Sequence, residues 1–80
     1  MIRISKETKL KSAEVIDRAS GFFGKGGLGL DEKERNPCCV TFEGGGGYVS
    51  VNIEDGEKMR TVDVETREWD YQVKQFLEKL

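Results

Sequence analysis

Residues 38–53 read CCVTFEGGGGYVSVNI, and their alternation decides the fold. Cys38, Val40 and Phe42 alternate with Cys39, Thr41 and Glu43, and Val49, Val51 and Ile53 alternate with Tyr48, Ser50 and Asn52. Successive side chains on a strand point to opposite faces, so each run has one apolar side. A two-residue turn at Gly45-Gly46 sets Glu43 opposite Tyr48, Phe42 opposite Val49 and Val40 opposite Val51. Every apolar residue then falls on one face of a hairpin. Two glycines supply the positive φ angles of such a turn. Gly44 and Gly47 exceed what the turn needs; they leave room for another backbone or a ligand to come close, although a plain turn is the simpler reading.

Outward from this hairpin, Asp55-Gly56 marks a second turn, and Val62 and Val64 point inward from the next strand. A two-residue loop there pairs Val51 with Arg60. A four-residue loop, 55–58, pairs Val51 with Val62 and Val49 with Val64, and buries more apolar surface. Thr66 then reads as the cap of a last helix, whose stripe is Trp69, Val73, Phe76, Leu77 and Leu80. Toward the N-terminus, Ile2 and Ile4 alternate with polar residues in a first strand over residues 1–9. Ser12 is placed to cap a helix whose apolar face is Ala13, Ile16, Ala19 and Phe23, widened by Val15 and Phe22. Gly21 and Gly24 mark its end. Residues 24–37 read as a Gly-rich, charged loop, pinned to the core by Leu28 and Leu30.

The order is β-α-β-β-β-α. One apolar sheet face and two striped helices predict an α+β, two-layer sandwich. Its mainly antiparallel four-stranded sheet carries both helices on one face. Eighty residues make one domain, spanning 1–80.

Charged residues form 35% of the chain yet nearly cancel, to a net charge of −2. This balance gives no long-range attraction to nucleic acid or to a membrane. The locally basic segment Arg3–Lys11 reads as a solvated strand face. No apolar run suits a signal peptide or a membrane span, so the expected setting is the cytoplasm. Histidine is absent, which removes the commonest general base and zinc ligand. Two cysteines alone cannot build a standard structural zinc site. Neighbours on an extended chain face apart, so a disulfide between Cys38 and Cys39 is disfavoured, and free thiols suit a reducing compartment. Cys38 falls on the buried phase and Cys39 on the open face. No cofactor or metal is expected.

Gly24–Gly29 matches G-x-G-x-x-G, but it follows a helix rather than a strand, where the helix dipole repels phosphate. Glu43, Asp63 and Glu65 share the outer sheet face without forming a catalytic pair. No catalytic constellation emerges, and the residues lean against an enzyme; Cys39 is the one nucleophile that could be named. Two places remain for a function. The first is the outer sheet face, with Thr41, Tyr48, Ser50, Asn52, Met59 and Thr61. It suits a non-enzymatic interaction module that binds another protein, or a second copy, through that face or an edge strand. The alternative is a small-ligand or anion site between loop 24–30, the first helix and the sheet. Phe22, Phe23, Leu28 and Trp69 would line it, and Lys25 or Arg35 would hold a negative group.

Overall fold

The central hairpin forms in the register its glycines dictate. In the computed structural model, which describes residues 2–80, β3 (Cys39–Gly44) and β4 (Gly47–Asp55) pair with Val40 opposite Val51, Phe42 opposite Val49 and Glu43 opposite Tyr48. Gly45 (φ 58°) and Gly46 (φ 80°) both occupy the left-handed region, as a primed hairpin turn requires. The flanking glycines accommodate the chain itself. A Cβ on Gly44 would stand 2.5 Å from Leu30 Cδ2, and one on Gly47 would overlap the Arg67 carbonyl oxygen.

The sheet has five strands rather than four. With β1 (Ile2–Thr8), β2 (Asp31–Asn36) and β5 (Arg60–Arg67), its order is β1-β5-β4-β3-β2, antiparallel at every pairing. The element order is therefore β-α-β-β-β-β-α, with helices α1 (Ser12–Phe23) and α2 (Asp70–Glu78). Met1, at the start of the expected first strand, lies outside the described residues.

The added strand comes from the segment expected to be loop. β2 reads DEKERN and is exposed at every position, so it carries no apolar alternation to detect. Two other interactions hold it. One is the backbone ladder to β3, with an irregularity between Glu32 and Glu34. The other is a polar seam with α1, where Arg35 Nη2 donates to Asp17 Oδ1 (2.6 Å) and Ser20 Oγ donates to Glu32 Oε1 (2.7 Å). Of the two expected pins, Leu30 is buried (3% exposed) and Leu28 is not (37%).

The β4–β5 pairing differs from both expected registers. The loop spans residues 56–59, closed by the Gly56 N–H donating to the Met59 carbonyl (2.9 Å), and Val51 faces Val64. This register brings Ile53 opposite Val62 while Val49 faces Thr66, and it lets Arg60 Nε donate to Asp55 Oδ1 (2.6 Å) beside the turn. It also draws Thr66 into the strand. Thr66 caps no helix; it is fully buried, and its Oγ1 donates to the Tyr48 carbonyl (2.8 Å). The chain then turns at Glu68 (φ 78°), and α2 starts behind Trp69. Lys11, not Ser12, stands at the N-cap of α1, and the helix runs through Gly21 to Phe23.

Both helices lie on the apolar face, α1 over β3 and β4 and α2 over β5 and β1. Val15, Ile16, Ala19 and Phe23 meet Val73, Phe76 and Leu77 above Val40, Phe42, Val49, Val51, Val62 and Val64. Val15 takes the inward place expected of Ala13, which is exposed. The Phe23 ring stands 5.1 Å from Phe76 and 5.6 Å from Phe42, centroid to centroid. Each buried phenylalanine contributes about 1.5–3 kcal/mol. Among the described residues, no helix is long and apolar enough to cross a membrane.

Candidate functional site

With both helices on one side, the other face of the sheet is bare, and strand register fixes what it displays. One row across it runs Arg3, Glu65, Ser50, Thr41 and Glu34. The next runs Ser5, Asp63, Asn52, Cys39 and Asn36. A third places Arg67, Tyr48, Glu43 and Asp31 side by side.

Part of this surface is already committed to internal contacts. Arg3 Nε donates to Asp63 Oδ2 (2.8 Å), Arg3 Nη2 also reaches that oxygen, and Ser5 Oγ donates to Asp63 Oδ1 (3.2 Å). The Arg3 hydrogen bond, aided by that from Ser5, holds the Asp63 carboxyl below the usual aspartate value, although partial burial opposes the shift. Tyr48 Oη donates to Glu65 Oε2 (2.7 Å), and this bond raises the phenol's pKa by favouring its protonated form.

Beside these pairs, across β4, β3 and β2, lies a strip of short polar side chains: Ser50, Asn52, Thr41 and, from β2, Asn36. Asn52 Nδ2 stands 3.5 Å from Ser50 Oγ, beyond ordinary hydrogen-bond length. Each hydroxyl and amide here can both donate and accept. Thr41, Ser50 and Asn52 thus come together as the sequence suggests, with Tyr48 at the strip's border. Thr61 lies in the next row, opposite Glu7 and Glu54. Met59 stands apart, in the 56–59 loop, where it lines a shallow depression with Glu7, Lys58 and Thr61. Asn36 and Glu34 escape sequence reading because β2 does. The one cue to them is the distance of Asn36 from the apolar alternation that starts at Cys38.

The residues of the alternative ligand site are spread over three clefts. Phe22 lines one with Arg18, Phe76 and Leu80. Lys25 lines another with Ser20, Asp31, Glu32 and Lys33. Arg35 lines a third with Ala13, Asp17 and Pro37, and its guanidinium is engaged by Asp17. Phe23 is fully buried. Trp69 sits at the glycine turn, its Nε1 donating to the Gly44 carbonyl (3.0 Å) and its ring 2.8 Å from where a Gly45 Cβ would be.

Cys38 and Cys39 are joined by a disulfide, contrary to the expectation of free thiols. The expectation assumed an extended chain, but β3 begins only at Cys39. Cys38 occupies the preceding turn, off the pleat, and is exposed rather than buried. Among the described residues, no cluster of three or more His, Cys, Asp or Glu could hold a metal ion. No protein-family model matches the chain, and no curated protein sequence matches it.

Proposed function

We propose that this chain is a non-enzymatic interaction module that associates with a second copy of itself through the bare sheet face. The observation that carries the reading is the strip of Thr41, Ser50, Asn52 and Asn36, which runs across β4, β3 and β2 beside the internally paired Arg3–Asp63 and Tyr48–Glu65. Groups that both donate and accept are complementary to their own image. A two-fold axis through such a strip can pair it with itself, which a single-sign charged patch cannot do. The edge strands suit pairing less well. β2 is charged at five consecutive positions, Asp31 to Arg35, and carries a register irregularity, features that discourage strand addition. Acids at the margin of the face, Glu34, Glu43 and Glu54, argue against nucleic acid. A cytoplasmic setting is part of the proposal and rests on the chain's high charge and modest apolar content.

Size-exclusion chromatography with light scattering tests the reading. The expected result is a dimer at high concentration that Ser50→Arg converts to a folded monomer. A strict monomer at every concentration would remove it.

A further inference from the structure

The Cys38–Cys39 disulfide adds almost nothing to the stability of the fold. A crosslink stabilises chiefly by shortening the loops open to the unfolded chain, and its effect grows with the length enclosed. Between sequence neighbours no residue is enclosed. The bond constrains its own peptide and leaves the rest of the unfolded chain as free as before.

Its setting is that of a reactive group on a rigid mount. Cys38 is exposed, in the turn that joins β2 to β3. The turn is tied to the sheet on both sides: the Cys38 N–H donates to Asn36 Oδ1 (3.1 Å), and the Cys38 carbonyl accepts the Ile53 N–H (2.8 Å). Chemistry at the sulfurs therefore leaves the strand pairing intact. Cys39 is the half-buried partner and lies on the bare face, opposite Asn52.

We propose that Cys38–Cys39 is a two-electron redox site, opened and closed by thiol–disulfide exchange with a dithiol reductant. A thiolate of the reductant attacks the exposed Cys38 Sγ. The new sulfur–sulfur bond forms as the Cys38–Cys39 bond breaks, and Cys39 leaves as a thiolate. The reductant's second thiolate then attacks its own sulfur in the mixed disulfide, closes the reductant's disulfide and releases Cys38. The two protons given up by the reductant's thiols end, through water, on Cys38 and Cys39. The pair gains two electrons and the reductant loses two. An acceptor is ready for the reduced state, since Asn36 Oδ1 lies 3.0 Å from Cys38 Sγ, within reach of a thiol hydrogen. The site does not depend on the self-association proposed above.

The full chain, equilibrated in dithiothreitol buffers of graded poise and quenched with iodoacetamide, tests this by mass spectrometry. The expected products are an unalkylated and a doubly alkylated chain interconverting in one reversible step, without a singly alkylated species. Amide NMR spectra of the two forms should differ at residues 34–41 and 50–54 and coincide elsewhere. Full alkylation after oxidising equilibration would overturn the proposal. So would loss of amide dispersion on reduction, which would make the bond a structural staple. Cys38→Ser provides a second check: the variant is expected to keep the fold and to take up one glutathione on Cys39 from oxidised glutathione. An unfolded variant would contradict the inference.

Discussion

Replacing the glycines at 44–47 with alanine one at a time should cost four different amounts, because each glycine is present for a different reason. At Gly46 the added Cβ meets open space, so only the positive φ opposes it; a left-handed alanine costs about 1–2 kcal/mol. Gly45 has a similar backbone and in addition the Trp69 ring at 2.8 Å. Overpacking there adds about 1–3 kcal/mol. At Gly47 the obstacle is backbone, the Arg67 carbonyl oxygen, with Glu68 Cβ at 2.7 Å. Relief requires parting the end of the β4–β5 ladder, which places the cost near 3 kcal/mol. At Gly44 the obstacle is a leucine methyl that can swing aside, for about 1 kcal/mol. A domain of this length is stabilised by roughly 4–12 kcal/mol in total, so these differences are large. Urea unfolding followed by Trp69 fluorescence measures them, and Trp69 reports on the turn directly because its indole N–H is bonded to the Gly44 carbonyl. Gly45→Ala and Gly47→Ala should be the most damaging. A Gly47→Ala chain within about 0.5 kcal/mol of the parent would refute the close approach of β5 to the turn.

Glu68→Gly should act in the opposite direction. Relief of the left-handed φ is worth about 1–2 kcal/mol, and the added freedom of the unfolded chain costs about 0.4–1 kcal/mol. A net gain near 0.5–1 kcal/mol should appear as a higher melting temperature. Arg3→Gln should raise the Asp63 pKa toward its ordinary value, as read by carboxyl carbon NMR. The folded-state pKa of Asp63 is depressed, so its contribution to stability is present above the unfolded value, about 3.9, and is lost as pH falls through the folded value. The parent chain should therefore lose more stability on acidification below about pH 4 than the Arg3→Gln chain. Added salt should strengthen self-association, because Glu34, Glu43 and Glu54 bring like charge to the margins of both paired faces; weakening would indicate an interface held by opposite charges.

What could be read from the sequence followed the apolar residues. Val40, Phe42, Val49 and Val51 fix the central hairpin because a one-residue slip would expose all four. The same parity places Thr41, Ser50 and Asn52 on the bare side. β2 was illegible because its six residues bury no side chain, and its hold on the sheet lies in backbone hydrogen bonds and in Arg35 and Glu32 reaching α1. The β4–β5 register escaped because parity permits shifts of two. Arg60 bonding to Asp55 and the Ile53–Val62 pair discriminate among those shifts, and both are visible only in three dimensions. Thr66 reads as a cap because Ser and Thr before an apolar stripe often are; its burial on the helix-covered face, opposite Val49, depends on how far β5 extends. The alternation of residues 38–43 stops at Cys39, because Cys38 belongs to the turn before β3 and is exposed. Phe22, Lys25 and Arg35 line three different clefts because they belong to three different segments, α1, the loop after it and β2.

The most direct test of the central claim is an amide NMR concentration series on the isotope-labelled chain. Self-association through the bare face predicts shifts or broadening that grow with concentration at Thr41, Ser50, Asn52 and Asn36, and that Ser50→Arg abolishes while the core resonances stay in place. Concentration-independent spectra, or changes confined to the helices and the clefts beside them, would contradict it.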